Sequence, residues 1–190
     1  NSRMKISIRN LFVCFFETLC VFNVNSLAIK RKYTTKGDKA TLTYLTDSET
    51  QCYGSNIPRG NALAINPLLL GISAEEWEEK YMDVEPSKIW YCGLFLKLTV
   101  KGKTFKGRII DTCDPIGHPF VYSTGDIIGG KCDYTDTIDL YESDTTNSHG
   151  LKFLQDISGG DDFFQGKVKW SLLNSKGTIV KCKNNHNNTL

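Results

Sequence analysis

A mainly β fold, closed into a small barrel, is what this sequence predicts, with a two-sheet sandwich as the alternative. Three observations predict it. Short runs rich in β-branched and aromatic residues recur with the period of two that a strand imposes on its side chains. Clusters of Gly, Pro, Asn and Asp separate those runs. At most two stretches read as short helices, so the strand–helix alternation of a parallel α/β sheet is missing. The 190 residues suit one domain.

From Met4 the chain reads as a secretory signal. Lys5 and Arg9 supply the positive start, residues 11–22 are mostly apolar, and Ser26-Leu27-Ala28 offers a small-x-small cleavage site. Asn1-Ser2-Arg3 reads as an upstream remnant. Glu17 interrupts the apolar run, and a membrane anchor is the competing reading, although the run is short for a bilayer. The expected organisation is a signal over 1–28, a propeptide or linker over 29–37, a barrel over 38–182 and a frayed tail over 183–190. Lys30-Arg31-Lys32 reads either as a dibasic processing site or as a solvated run. Asn187-Asn188-Thr189 is a glycosylation sequon in the tail.

Within the barrel segment, 33–39 is polar and expected as a flexible lead-in. Residues 40–46 form the opening strand, with Thr41, Thr43 and Leu45 on one face and Leu42, Tyr44 and Thr46 on the other. Residues 47–60 are a loop, and 62–65 a short apolar run that stops at Asn66-Pro67. The clearest helix spans 73–82: Ser73 and Glu76 fit a capping box, and Trp77 and Tyr81 share a side that packs on the domain. Strands follow at 91–100 and 104–111 around Lys101-Gly102-Lys103. Residues 114–136 form a long loop with four Gly and two Pro. Residues 138–141 are a strand, and a short helix interrupted by Gly150 follows. Residues 166–173 close the barrel with Val168, Trp170 and Leu172 inward, and 178–181 are an edge strand.

Residues 33–190 hold 17 Lys/Arg and 20 Asp/Glu, a net of −3, so the whole-chain excess of +2 sits in the first segment. No dense basic run remains there, which removes the usual footprint of nucleic-acid binding. Cys14 and Cys20 lie in the signal, leaving Cys52, Cys92, Cys113, Cys132 and Cys182. In an oxidising compartment two disulfides are expected. Cys52–Cys92 and Cys113–Cys132 each flank a loop-bearing segment, and Cys182 is left free. Neither these cysteines nor His118, His149 and His186 have metal-ligand spacing, and no metal or cofactor is expected.

Two acids stand out. Asp111 in Arg-Ile-Ile-Asp-Thr-Cys-Asp and Asp139 in Thr-Ile-Asp-Leu each end or interrupt an apolar β run, one on each side of the long loop. They line a cleft, or they cap turn backbone and face solvent.

Five motifs in this order carry a family resemblance over roughly residues 38–173: Ala40-Thr41-Leu42-Thr43, Ala64-Ile65-Asn66-Pro67, Cys92-Gly93, Ile110-Asp111-Thr112-Cys113 and Ile138-Asp139-Leu140. With the closing Gly-x-Val-x-Trp of Gly166–Trp170 they resemble expansin-like and loosenin-like proteins. That superfamily also holds barwin, the rare-lipoprotein-A-type lytic transglycosylases and the family-45 endoglucanases. The resemblance implies a six-stranded double-psi β-barrel with one or two short helices. It also implies a groove in which Asp111, Asp139 and Thr41 bind polysaccharide. Tyr141 stands where the family has Ser, and Thr43 where it usually has Tyr.

The resemblance puts Asp139 at the general-acid position, with Asp111 beside it. Asp47 is a weakly placed base candidate, because Thr46 falls where the base would align. The expected function is therefore secreted, single-domain loosening of cell-wall polysaccharide without hydrolysis. The polymer is cellulose, glucan, chitin or peptidoglycan, with Thr43, Tyr53, Trp90 and Tyr122 at the groove; Tyr91 and Tyr134 also lie in or near loops. A monomer is expected, with no nucleic-acid partner and no membrane contact after the signal. The alternatives are a polysaccharide-cleaving enzyme on the same groove and a non-catalytic defence protein or protease inhibitor of barwin type.

Overall fold

The computed structural model describes residues 33–82, 84–115, 120–121, 127–128 and 134–180. The signal segment, Lys30–Lys32, His118, Tyr122, Cys132, Cys182, His186 and the tail sequon lie outside them. The strands are β1 (Lys36–Leu45), β2 (Ala62–Ile65), β3 (Phe95–Val100), β4 (Lys103–Thr112), β5 (Phe120–Val121), β6 (Ile127–Ile128), β7 (Thr137–Ser143), β8 (Ser148–His149) and β9 (Phe164–Leu173). Two helices accompany them, α1 (Ala74–Lys80) and α2 (Gly150–Ser158).

Six strands close on themselves in the order β1–β9–β3–β4–β2–β7, with β7 returning to β1. The β1–β7 and β2–β4 pairs are parallel and the others antiparallel, so the barrel is mixed. β8 extends one side of β7, and β5–β6 form a separate ribbon. This is the mainly β closed barrel that the alternating runs predict, with the six strands that the resemblance implies.

Strand periodicity places the core. Leu96, Leu98 and Val100 of β3 point inward while Lys97 is exposed. Leu42, Leu63, Ile65, Ile109, Ile138, Leu140, Val168, Trp170 and Leu172 meet them inside. The β3–β4 hairpin turns on Lys101 and Gly102, both at positive φ (48° and 80°), the backbone of a tight two-residue connection. Ser73 caps α1 by accepting from the Glu76 N–H at 3.1 Å, and Trp77 and Tyr81 are buried as expected. In α2, Leu154 and Ile157 join the core.

Four local expectations change. The lead-in is built into the domain: the Thr34 N–H bonds Leu70 O at 2.9 Å, Thr35 O accepts from the Leu172 N–H at 2.8 Å, and β1 begins at Lys36. Its polar side chains did not signal this, because strand pairing uses backbone groups that every non-proline residue carries. Residues 91–94 are a turn, not strand: Gly93, at φ 80°, folds the chain so that its N–H reaches Ile109 O. Gly150 starts α2 instead of breaking it, since a Cβ there would lie 2.6 Å from Tyr141 O. At 178–180 there is only a single bridge, Leu173↔Ile179, in place of an edge strand.

Candidate functional site

The outer face of β4, β2, β7 and β1 collects the carboxylates. Ala64 is the register partner of Asp111 in β4 and of Asp139 in β7, and Asp139 is in turn the partner of Thr43 in β1. Paired residues share a face, so these four form one row. Asp111 and Asp139 are two strand spacings apart, roughly 9.5 Å between Cα atoms, with an alanine methyl as the floor between them. The Ala-Leu-Ala-Ile sequence of β2 makes that floor: Leu63 and Ile65 enter the core while Ala62 and Ala64, also buried, lie on the opposite face of the strand.

Asp111 reaches this row through a bulge. Leu63 pairs with Ile109 but the next residue, Ala64, pairs with Asp111, so Ile110 is the extra residue in β4. The Ile110 carbonyl is then free of the ladder and accepts from the Cys52 N–H at 3.0 Å. The loop of residues 46–61 is thereby drawn over the site. The Cys52–Cys92 disulfide ties it to the 91–94 turn, the Gln51 side chain donates to Tyr81 O at 3.1 Å, and the Tyr141 hydroxyl donates to Asp47 O at 2.7 Å. Ala62, Ile110 and Tyr141, with Leu45, Tyr53 and Ile57 against them, form a second small apolar cluster beneath it.

The electrostatics follow from this cover. Asp111 Oδ1 accepts from the Gln51 N–H at 2.8 Å and the Thr112 N–H at 2.9 Å. Desolvation outweighs both bonds and, with a smaller push from the Asp47 charge, raises the Asp111 carboxyl to about 7. At mildly acidic pH this residue is therefore neutral, a hydrogen-bond donor and a potential proton source. Asp139 accepts a hydrogen bond from the Thr43 hydroxyl. Thr41 lies one step along β1, buried; its hydroxyl donates to Asp136 at 2.9 Å and accepts from Gln165 Nε2 at 3.4 Å.

The residues picked out in the sequence thus separate into groups. Asp111, Asp139 and Thr43 share the row, Thr41 adjoins it, and Asp47 sits close enough for its charge to act on Asp111. Tyr53 supports the covering loop, with its hydroxyl against Gly93, where a Cβ would approach it to 2.8 Å. Trp90 packs on Tyr33 at 4.8 Å between centroids and edge-on to Tyr91 at 5.6 Å, on the margin of the main core and not in the carboxylate row. That ring is covered by Tyr33, part of the segment expected to be a free lead-in. Cys113 is disulfide-bonded, and its expected partner, Cys132, lies outside the described residues. Ala64, Asp136 and Gln165 were not singled out. The alternation of small and large residues in Ala-Leu-Ala-Ile was the available signal for Ala64; the other two depend on long-range pairing that leaves no local mark. Among the described residues no group of three metal-ligating side chains assembles.

No family model matches the chain, and no curated protein matches it. Among solved structures it is similar to the Streptomyces papain inhibitor (SPI), at 17% identity and a TM-score of 0.42, over 74% of this chain and 96% of that one. A likeness at that level carries no conclusion about what this protein binds.

Proposed function

We propose that this is a secreted barrel protein of expansin or loosenin type that binds cell-wall polysaccharide across β2 and loosens it without cutting it. The observation that carries this reading is the row Asp111–Ala64–Asp139–Thr43, two carboxylates separated by a small-residue floor. A sugar chain offers hydroxyls to both acids, and the alanine between them takes up little room. The disulfide between Cys52 and Cys92 supports an oxidising compartment, and no described helix is long and apolar enough to cross a membrane.

One observation favours a second reading. Asp111 has the raised carboxyl, and Asp47 lies near it, so an acid and a base candidate adjoin on the covering-loop side. Inversion at a glycosidic bond needs two carboxyl groups roughly 6.5–9.5 Å apart. This reading makes Asp111, and not Asp139, the proton donor.

Pull-down against insoluble cellulose, β-glucan, chitin and peptidoglycan, combined with an assay for new reducing ends, tests both. Binding that is lost in Asp139→Ala with no release of reducing ends is the expected result. Sustained release abolished by Asp111→Asn would replace loosening by hydrolysis. Failure to retain any of the polymers would remove the polysaccharide reading.

A further inference from the structure

The barrel has a second outer face, over β1, β9, β3 and β4, which the groove does not use. Register places Lys36 opposite Ser171, Ser171 opposite Lys97, and Lys97 opposite Lys106 in one row across the four strands. In the neighbouring row Lys169 stands opposite Thr99. All four lysines are exposed. Like charges placed directly opposite each other destabilise a strand pair, yet among the described residues no carboxylate lies within 4.0 Å of any of the four. Lys101 and Lys103 are engaged elsewhere, the first with Ile157 O and the second with Asp156.

Lys36, Lys97, Lys169, Thr99, Ser171 and the edge of the Trp170 indole enclose an open depression of about 480 Å³. Asp38, which stands in β1 opposite the extra residue of a bulge in β9, is the one acid on its wall. Gly37 lets β1 lie flush on the indole, since a Cβ would fall 2.4 Å from its Nε1. Beyond Lys97 the charge continues: Lys106 Nζ and Arg108 Cζ stand 4.7 Å and 4.6 Å from the centroid of Phe95.

We infer that this face binds an acidic polysaccharide, one that carries uronate or sulfate groups. Lys97 and Lys106 are one strand spacing apart, roughly 5 Å, and Lys36 and Lys97 two, roughly 10 Å, spacings that meet a polymer with charge on successive or alternate sugars, and the Thr99 and Ser171 hydroxyls suit its ring hydroxyls. A single-stranded nucleic acid fits less well, because it wants exposed rings on which bases stack. Here Trp170 is buried and the ring of Phe95 already carries two cations. The choice of a glycan rests also on the oxidising compartment that the disulfide supports; it does not rest on the carboxylate groove.

The test titrates the chain with polygalacturonate, heparin, a neutral β-glucan and an oligodeoxythymidine, each at low and high salt. The acidic glycans bind with an affinity that falls steeply as salt rises. In K97E/K106E/K169E that affinity drops by about tenfold or more while circular dichroism and neutral-glucan binding are unchanged. D111N/D139N keeps the acidic-glycan affinity and reports on the groove separately. The inference is overturned if the triple variant binds acidic glycans like the parent, if D111N/D139N abolishes that binding, or if the oligodeoxythymidine binds more tightly than both acidic glycans.

Discussion

Two outer faces of one barrel obey the same strand alternation and end in opposite chemistry. Over β4, β2, β7 and β1 the outward positions are Asp111, Ala64, Asp139 and Thr43, and the acids have donors: two backbone N–H groups for Asp111 and a hydroxyl for Asp139. Over β1, β9, β3 and β4 they are Lys36, Ser171, Lys97 and Lys106, and among the described residues no carboxylate pairs with those lysines. The first face is overlaid by a disulfide-tied loop and the second is open. The lesson is that cover, not composition, sets the chemistry of a face. A carboxyl under a loop changes its protonation, whereas lysines side by side on open strands repel one another.

The largest test of this contrast removes the cover. Cys52 and Cys92 close a loop of sequence separation 40, so Cys52→Ser with Cys92→Ser is expected to cost about 4 kcal/mol on the loop-entropy model, read by denaturant unfolding. If the cover is what desolvates Asp111, titration of that carboxyl followed by NMR in the same variant moves back toward the ordinary range. An unmoved titration would break the comparison.

Next comes pH. Asp111 has a folded value near 7, above its unfolded value, so the folded state holds a proton that the unfolded state has released. The contribution of Asp111 to stability is fully present below the unfolded value near 3.8 and is lost as pH rises toward 7 and through it. Asp111→Asn keeps an oxygen to accept both N–H bonds and cannot ionise. It is expected to stabilise the fold by up to about 4 kcal/mol at pH 8, and the difference from the parent should vanish at pH 3. A stabilisation that is equal at both pH values would show that desolvation of the charge is not the cause.

Ala64→Leu fills the floor between the acids. Overpacking is expected to cost about 1–3 kcal/mol in thermal unfolding and to remove polysaccharide binding in the groove, leaving binding of acidic polymer to the lysine face unchanged. Loss of both would mean the faces are not independent.

The smallest effect is on the open side. Lys97→Ser relieves the Lys97–Lys106 opposition and is expected to raise stability by a few tenths of a kcal/mol at low salt, with the gain fading as salt screens the pair.

Much of this was legible in the residues. The period-two runs gave the strands and their inward sets, Ser73 and Glu76 gave α1, and Cys52–Cys92 follows from two cysteines that flank a loop-bearing segment. What was misread shares a cause. Tyr33 to Lys39 looked free because its polarity is uninformative about backbone pairing, and Trp90 looked like a groove ring because nothing local says that Tyr33 covers it. Ile110 gives no sign that it is a bulge, yet the bulge brings Asp111 into line with Ala64.

The lysine face is the clearest case. Residues 33–190 carry a net charge of −3 and no basic run, and from that a basic patch was not expected. Lys36, the hairpin pair Lys97 and Lys106, and Lys169 come from three separate parts of the chain, and Lys97 and Lys169 alternate with apolar neighbours, as a half-buried strand requires. Alternation, propensity and capping are local, so the sequence by itself determined which residues point outward. Which outward residues become neighbours depends on strand order and register around a closed barrel. Those are fixed by long-range packing of the shared core, and only the tertiary structure decided that the acids meet on one face and the lysines on another.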